Sequence, residues 1–205
     1  MFKVIYKWLD LRKHMQYGKN TKELILQTAW ELFMEKGYEN TTVDEIIQLC
    51  KISKGGFYHH FNSKDDLLIY VSTLLDQQYE ILSKNIDETL NTKEKLLYYT
   101  EYLFRYIEDN IPCDILALVL STQVVKSGSK HLLDEKRIYF TLLTELITKG
   151  QKTGEISKER TVRELMKLYV MQERSVLYDW CLCEGNYPLS RYGMDMFETF
   201  VQGVL

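Results

Sequence analysis

Between Lys51 and Lys64 the chain reads Lys-Ile-Ser-Lys-Gly-Gly-Phe-Tyr-His-His-Phe-Asn-Ser-Lys, with three lysines, two adjacent histidines, a tyrosine and no acidic residue. Histidines with no carboxylate or nucleophile beside them are poorly placed for general acid–base work, because nothing orients the imidazole. Cations and hydroxyls on one short segment suit a polyanion instead, since each neutralised phosphate releases counterions and adds affinity. Gly55 and Gly56 point the same way. Each costs a helix roughly 1 kcal/mol relative to alanine, which makes sense where the backbone must approach something closely. Ser53 is an N-cap candidate for the helix they open, and the free amides at such a start suit a phosphate. Lys54 adds charge at the same end. Phe57 and Phe61, four residues apart, are read as core.

These residues need a frame to hold them. Asn20 or Thr21 can cap a first helix over about 21–36, with Ile25, Ala29, Leu32 and Phe33 at helical spacing and Gly37 as a left-handed C-terminal cap. Thr42-Val43-Asp44-Glu45 fits a capping box, opening a short helix with Val43, Ile46, Ile47 and Cys50 on one face. A tight turn then leads to a helix over Lys54–Phe61. Ser63 can cap a fourth helix running to about residue 88, with Asp65 and Asp66 favourably placed in its first turn. Three short helices, the last two joined tightly, describe a helix-turn-helix unit whose second member enters the DNA major groove.

At these residues the chain resembles the TetR family of transcriptional repressors. The resemblance rests on Thr41–Ile47, on Ser53–Phe61 with its Tyr-x-His-Phe core, and on Ser63-Lys64-Asp65-Asp66-Leu67-Leu68, and it covers about residues 21–68. Gly154-Glu155-Ile156 and Trp180 agree with the family in style. The resemblance implies an all-α dimer of nine-helix subunits that holds a pseudo-palindromic double-stranded DNA operator until a small-molecule effector releases it. It implies that Thr42 caps its helix at the phosphate backbone, that Tyr58, His60 and Lys64 contact phosphates, and that Gly56 and His59 lie near base edges. His59 stands where the family often has tyrosine, so its role is the loosest of these.

Downstream, helical patterns cover about 92–110, 113–126, 130–149, 159–183 and 189–204, with a loop at 126–129, a helix end at Gly150 and turns at 151–155 and 184–188. The last two helices carry wide aromatic stripes. By resemblance they form a four-helix bundle across a two-fold axis in which Tyr169, Val176, Trp180, Phe197 and Phe200 meet their counterparts; burial within one subunit is the competing reading. Tyr99, Tyr102 and Tyr106 share a face of their helix. With Tyr139 and Glu173 they are the candidate lining of a ligand pocket, where rings beside a carboxylate would suit a flat cation. A tyrosine-rich core explains the same residues without a ligand.

Composition sets the outer bounds. The 205 residues include only two prolines, Pro112 and Pro188, which fits long helices better than a many-turned β-fold. No run approaches the ~20 apolar residues that span a bilayer, so no membrane partner is expected. The four cysteines form no CxxC pair, which suits a reduced, cytoplasmic setting. Cys181 and Cys183 are read as buried thiols, with a soft-metal or redox pair as the alternative. Residues 1–64 carry ten basic and seven acidic side chains, whereas 65–205 carry sixteen and twenty-two; a basic head on an acidic body expects its anionic partner at the head. No Gly-rich phosphate loop, HExxH or nucleophile motif is present. No enzyme activity, cofactor, metal or catalytic residue is therefore expected. Domain limits fall at 1–20 (an extension), 21–66 (the helix-turn-helix unit) and 67–205 (the ligand and dimer domain). Residues 1–14 read as a translation start upstream of Met15, as a basic arm, or as a segment whose Phe2, Ile5, Trp8, Leu9 and Leu11 pack on the body.

Overall fold

The structure is a computed structural model that describes residues 20–125 and 130–205. The expectations for the extension at 1–14 and for the loop at 126–129 lie outside the described residues. Nine α-helices and no strand occur among the described residues. They fall into two compact units, one ending at Leu67 and one spanning Leu68–Leu205. No described helix is long and apolar enough to cross a membrane.

The first unit holds α1 (Thr21–Lys36), α2 (Val43–Cys50) and α3 (Lys54–Tyr58). Of the predicted core, Ile25, Ala29, Leu32, Phe33, Ile46, Cys50, Phe57 and Phe61 are buried, whereas Val43 and Ile47 are half-buried. Asn20 caps α1, its side chain accepting from the Lys22 amide. Gly37 has φ +87° but ψ 158°, so it departs from the expected left-handed cap while using a conformation open mainly to glycine. Both halves of the Thr42–Glu45 capping box are present. The tight turn is made by Lys51, which is left-handed at φ 54° and ψ 41°. α3 is shorter than predicted. It closes where the Phe57 carbonyl accepts from both the His60 and Phe61 amides, which leaves His59–Phe61 as a turn.

A 3₁₀ segment, Lys64–Leu68, precedes α4 (Ile69–Asn85). The second unit continues with α5 (Thr92–Asn110), α6 (Cys113–Val125), a short 3₁₀ turn (His131–Leu133), α7 (Ile138–Thr153), α8 (Val162–Leu182), a π-helical turn (Leu189–Gly193) and α9 (Met194–Val204). Capping boxes open α5 at Asn91–Glu94 and α8 at Thr161–Glu164. Gly150, read as a helix end, lies inside α7, which ends one turn later at the left-handed Gly154. Its glycine identity has a packing cause: a Cβ there would stand 2.8 Å from Ile156 and Thr92.

α8 is the axis of this unit, with Tyr169, Val176 and Trp180 buried along it. Tyr169 meets Phe197 edge-on at 4.9 Å, and Phe197 meets Phe104 at 6.2 Å, joining α5, α8 and α9. Gly193 permits this approach, because a Cβ there would lie 2.9 Å from Val176 and 3.1 Å from Leu189 and Phe104. Overpacking at such a site costs about 1–2 kcal/mol. Gly193→Ala is therefore expected to lower the thermal midpoint by a few degrees, and an unchanged melt would mean that the crossing is slack.

Candidate nucleic-acid interface and ligand site

α3 and its flanks present Lys51, Ser53, Lys54, Gly55, Tyr58 and His59 to solvent, with Gly56 and His60 half-buried. Ser53 caps the helix, its Oγ accepting from the Gly56 amide at 3.0 Å. Phe57 anchors the opposite face against Phe61 at 5.9 Å. A single buried ring thus turns the hydroxyl, imidazole and ammonium groups outward. The Tyr58 ring is 46% exposed, which is costly for a side chain that had only to pack. Thr42, at the start of α2, is exposed with its hydroxyl engaged by Glu45. Lys54 lies 3.8 Å from Asp44, an exposed pair too weak to hold it.

The glycines tell the most about this face. Neither has positive φ. A Cβ on Gly55 would meet nothing nearer than Ser53 Oγ at 3.9 Å, and on Gly56 nothing nearer than 3.4 Å. Nothing in the folded chain demands glycine at either position.

The Lys64 ammonium is engaged inside the first unit. Its ammonium donates to the Tyr38 and Thr41 carbonyls at 2.7 and 3.0 Å and lies 4.0 Å from the centre of the Tyr38 ring. Two of its three donors are thereby spent on the α1–α2 turn, which assigns Lys64 a positioning role. Beside it the Tyr38 hydroxyl donates to Asp65, and burial together with that carboxylate raises the Tyr38 pKa far above its ordinary value.

In the second unit, the proposed pocket residues divide. Tyr139 and Glu173 come together: the Tyr139 hydroxyl donates to one Glu173 oxygen and Thr100 donates to the other at 3.0 Å. Thr100 also shares a hydrogen bond with the Tyr169 hydroxyl, which donates to the Leu96 carbonyl at 2.9 Å. Glu173 is 4% exposed, and burial pushes its carboxyl up to about 7. Tyr99 joins this interior through Tyr79, whose ring lies 6.1 Å from Tyr99 and 4.9 Å from Tyr139. Tyr102 and Tyr106 do not join it. Tyr102 donates to Gln78 on α4, and Tyr106 is half-buried on the same side of α5, near Tyr70 and Tyr102. Thr100 and Tyr79 were not read as pocket residues and Tyr169 was read as a dimer residue, although a threonine inside the apolar stripe of α5 was a visible signal.

Four of the five expected dimer residues lie inside the subunit. Tyr169, Val176, Trp180 and Phe197 are at most 5% exposed within the single chain, because they fill the core between α5, α8 and α9. Only Phe200 is half-exposed. The apolar side chains that α8, α9 and the turn between them leave in solvent are Met171, Tyr178, Leu182, Tyr192 and Met196, each more than half exposed. Among the cysteines, Cys181 Sγ lies 3.9 Å from the Cys113 carbonyl, and burial pushes its thiol up to about 12, so it stays protonated and unreactive. No group of three potential metal ligands occurs among the described residues.

A basic helix-turn-helix head joined to an all-helical body with polar groups in its interior defines a helix-turn-helix regulator. The family models agree. Residues 25–71 match that of the bacterial regulatory proteins of the tetR family, and residues 72–203 match the C-terminal region of YsiA-like proteins. The chain belongs to the tetR family, as a helix-turn-helix transcriptional regulator with a C-terminal ligand-binding domain. It is 44% identical over 77 residues to the uncharacterized HTH-type transcriptional regulator YuxN of Bacillus subtilis, a match covering 38% of this chain and only 24% of that relative. It is 23% identical over 184 residues to the fatty acid metabolism regulator protein of the same species, covering 88% and 93% of the two chains. The crystal structure of FadR from Bacillus subtilis in complex with stearoyl-CoA superposes with a TM-score of 0.67 at 24% identity, covering 89% of this chain and 99% of that one. At that identity the likeness speaks for the fold.

Proposed function

We propose that the protein is a dimeric, cytoplasmic repressor that binds a pseudo-palindromic double-stranded operator and is released by a small-molecule effector. The observation that carries DNA reading is the pair Gly55-Gly56, free of any internal need, at the start of an exposed helix with no acidic residue from 51 to 64. Tyr58, His60 and Lys54 touch phosphates in this scheme, the Ser53 and Thr42 helix starts direct amides at them, and Gly56 and His59 lie against base edges. A five-residue recognition helix reads few base pairs, and two-fold pairing doubles the site. Met171, Tyr178 and Leu182 share one face of α8 by their spacing, and with Met196 exposed on α9 they support pairing with a second copy. Coupling follows from population shift: an effector that prefers the DNA-incompetent state by about 1–3 kcal/mol lowers operator affinity roughly 5–150-fold. The 3₁₀ segment Lys64–Leu68 runs without a linker into α4, and that helix is the lever in this scheme.

Fluorescence anisotropy on DNA from upstream of the protein's own gene, with unrelated DNA as competitor, tests the reading. Competitor-resistant binding of two subunits per palindrome is expected; sequence-blind binding there and in a random-sequence selection would remove it. Gly56→Ala sharpens the test. Folding stability stays level or rises by about 0.5–1 kcal/mol, because a helix gains from losing a glycine, while operator affinity falls at least tenfold. Unchanged affinity would show that the backbone makes no close approach.

A further inference from the structure

We infer that the Cys113 and Cys181 thiols form a binding site for a soft monovalent metal ion, copper(I), which they hold between two thiolates. The inference goes beyond the regulator reading and does not depend on it.

The two cysteines are 68 residues apart in sequence and meet where the start of α6 packs on the end of α8. The Cys181 thiol donates to the Cys113 carbonyl, with its Sγ 3.9 Å from that oxygen. It also hydrogen-bonds the Cys113 thiol. That contact lowers the Cys113 pKa, against the raising effect of burial, and raises its own. The two sulfurs are therefore neighbours, and neither is in a disulfide. Both side chains are half-buried, so a small ion has access to them. Cys183, the partner that the Cys-x-Cys spacing suggests, lies past the end of α8 and is exposed.

The surroundings favour a cation held by thiolates. Cys113 is the first residue of α6, where the free amides and the helix dipole stabilise negative charge on sulfur. The carboxylates of Asp114 and Glu184, both exposed, act on the Cys113 thiol and draw cations towards it. The turn after α8 closes over the pair. A Cβ on Gly185 would stand 3.6 Å from the Cys113 Cβ and 3.3 Å from the Trp180 ring, and Trp180 Nε1 donates to the Tyr187 carbonyl at 2.9 Å.

Ligand chemistry selects the ion. Thiolates favour soft metals. A structural zinc ion takes four ligands, whereas no group of three potential ligands occurs among the described residues. Copper(I) is satisfied by two thiolates. Burial keeps the proton on Cys181, which protects it from oxidants that attack thiolates; a soft ion displaces that proton as it binds. One copper(I) ion and two thiols give one bis-thiolate complex and two free protons, with no change of oxidation state.

The test is anaerobic titration of the full-length, reduced protein into copper(I) held by excess bathocuproine disulfonate, whose fading colour counts the copper transferred. The wild type and Cys183→Ser are each expected to take one ion per chain. Cys113→Ser and Cys181→Ser, their folding checked by thermal melt, should take none. From about pH 6.5 to 7.5 the wild-type affinity should rise roughly 100-fold, because two protons leave per ion, against about tenfold for a single thiol. The inference is overturned if the wild type leaves the copper with the chelator or shows only the smaller pH effect, with no variant needed. It is equally overturned if either Cys113→Ser or Cys181→Ser keeps the ion, or if Cys183→Ser loses it.

Discussion

Glu173→Gln is expected to unfold at a higher temperature than the wild type at pH 8, and at nearly the same temperature at pH 5. The carboxyl has an ordinary value of 4.5 and is pushed up to about 7 in the folded chain by burial, against the lowering effect of its Tyr139 and Thr100 hydrogen bonds. Below the lower value both states are protonated, and the group makes no difference. Between the two values the folded state holds a proton that the unfolded state has released, so stability falls as pH rises through the window. By pH 8 the folded chain carries a buried charge that costs on the order of 3 kcal/mol, against less than about 1 kcal/mol at pH 5. Glutamine does not titrate and keeps an acceptor for one of the two hydroxyls, while its amide can donate to the other. His131 is half-buried, its imidazole pushed down to about 4, but it is common to both proteins and cancels in the difference. For a chain of this length the gain at pH 8 is about 5–10 °C. Parallel melts across pH 5–8 decide the matter, and a constant offset would mean that Glu173 is ionised and satisfied throughout.

Where a feature depends on neighbours in sequence, it was legible. The Thr42–Glu45 capping box, the Ser53 cap and the 21–36 helix are local hydrogen-bond patterns, and each was read from residue types a few positions apart. The recognition helix was read too long, because Phe57 and Phe61 keep helical spacing even where the chain has become a turn. Gly150 shows the opposite failure. Its identity reads as a helix end, yet its cause is contact with Ile156 and Thr92, and Thr92 lies far off in sequence on another helix. The interior site was half legible for the same reason. Glu173 falls in a buried stripe and draws notice as a charge, but its partners Tyr139 and Thr100 lie 34 and 73 residues away. The terminal helices present the hardest case. Their aromatic stripes were wide enough for two partners, and periodicity does not say which residues face the subunit's own core. Tyr169, Trp180 and Phe197 turned inward, whereas Tyr178 and Tyr192, of similar size, stayed outside with Met171 and Leu182.

The DNA-reading head yields the other large effect. Lys64→Met is expected to destabilise the α1–α2 turn by about 3 kcal/mol, since hydrogen bonds to a charged donor contribute roughly 1.5–3 kcal/mol each. Methionine preserves an apolar stem beside Tyr38 but supplies no donor for the Tyr38 and Thr41 carbonyls. The Tyr38 oxygen still accepts from the Thr41 amide, whereas the Thr41 carbonyl loses the ammonium that served it. Thr41 is 1% exposed, so water does not readily replace that partner. This turn places the Thr42 cap, and with it the start of α2. Hydrogen exchange on the full chain should therefore accelerate over residues 38–50, and operator affinity should fall for every sequence without a change in its salt slope. Lys54→Ala supplies the contrast. Its ammonium is solvent-exposed with only a loose pair to Asp44, so its loss should leave exchange unaltered while lowering the salt slope by about 1. If Lys64→Met behaves instead like Lys54→Ala, the ammonium leaves the two carbonyls for a phosphate when DNA binds, and the positioning role fails.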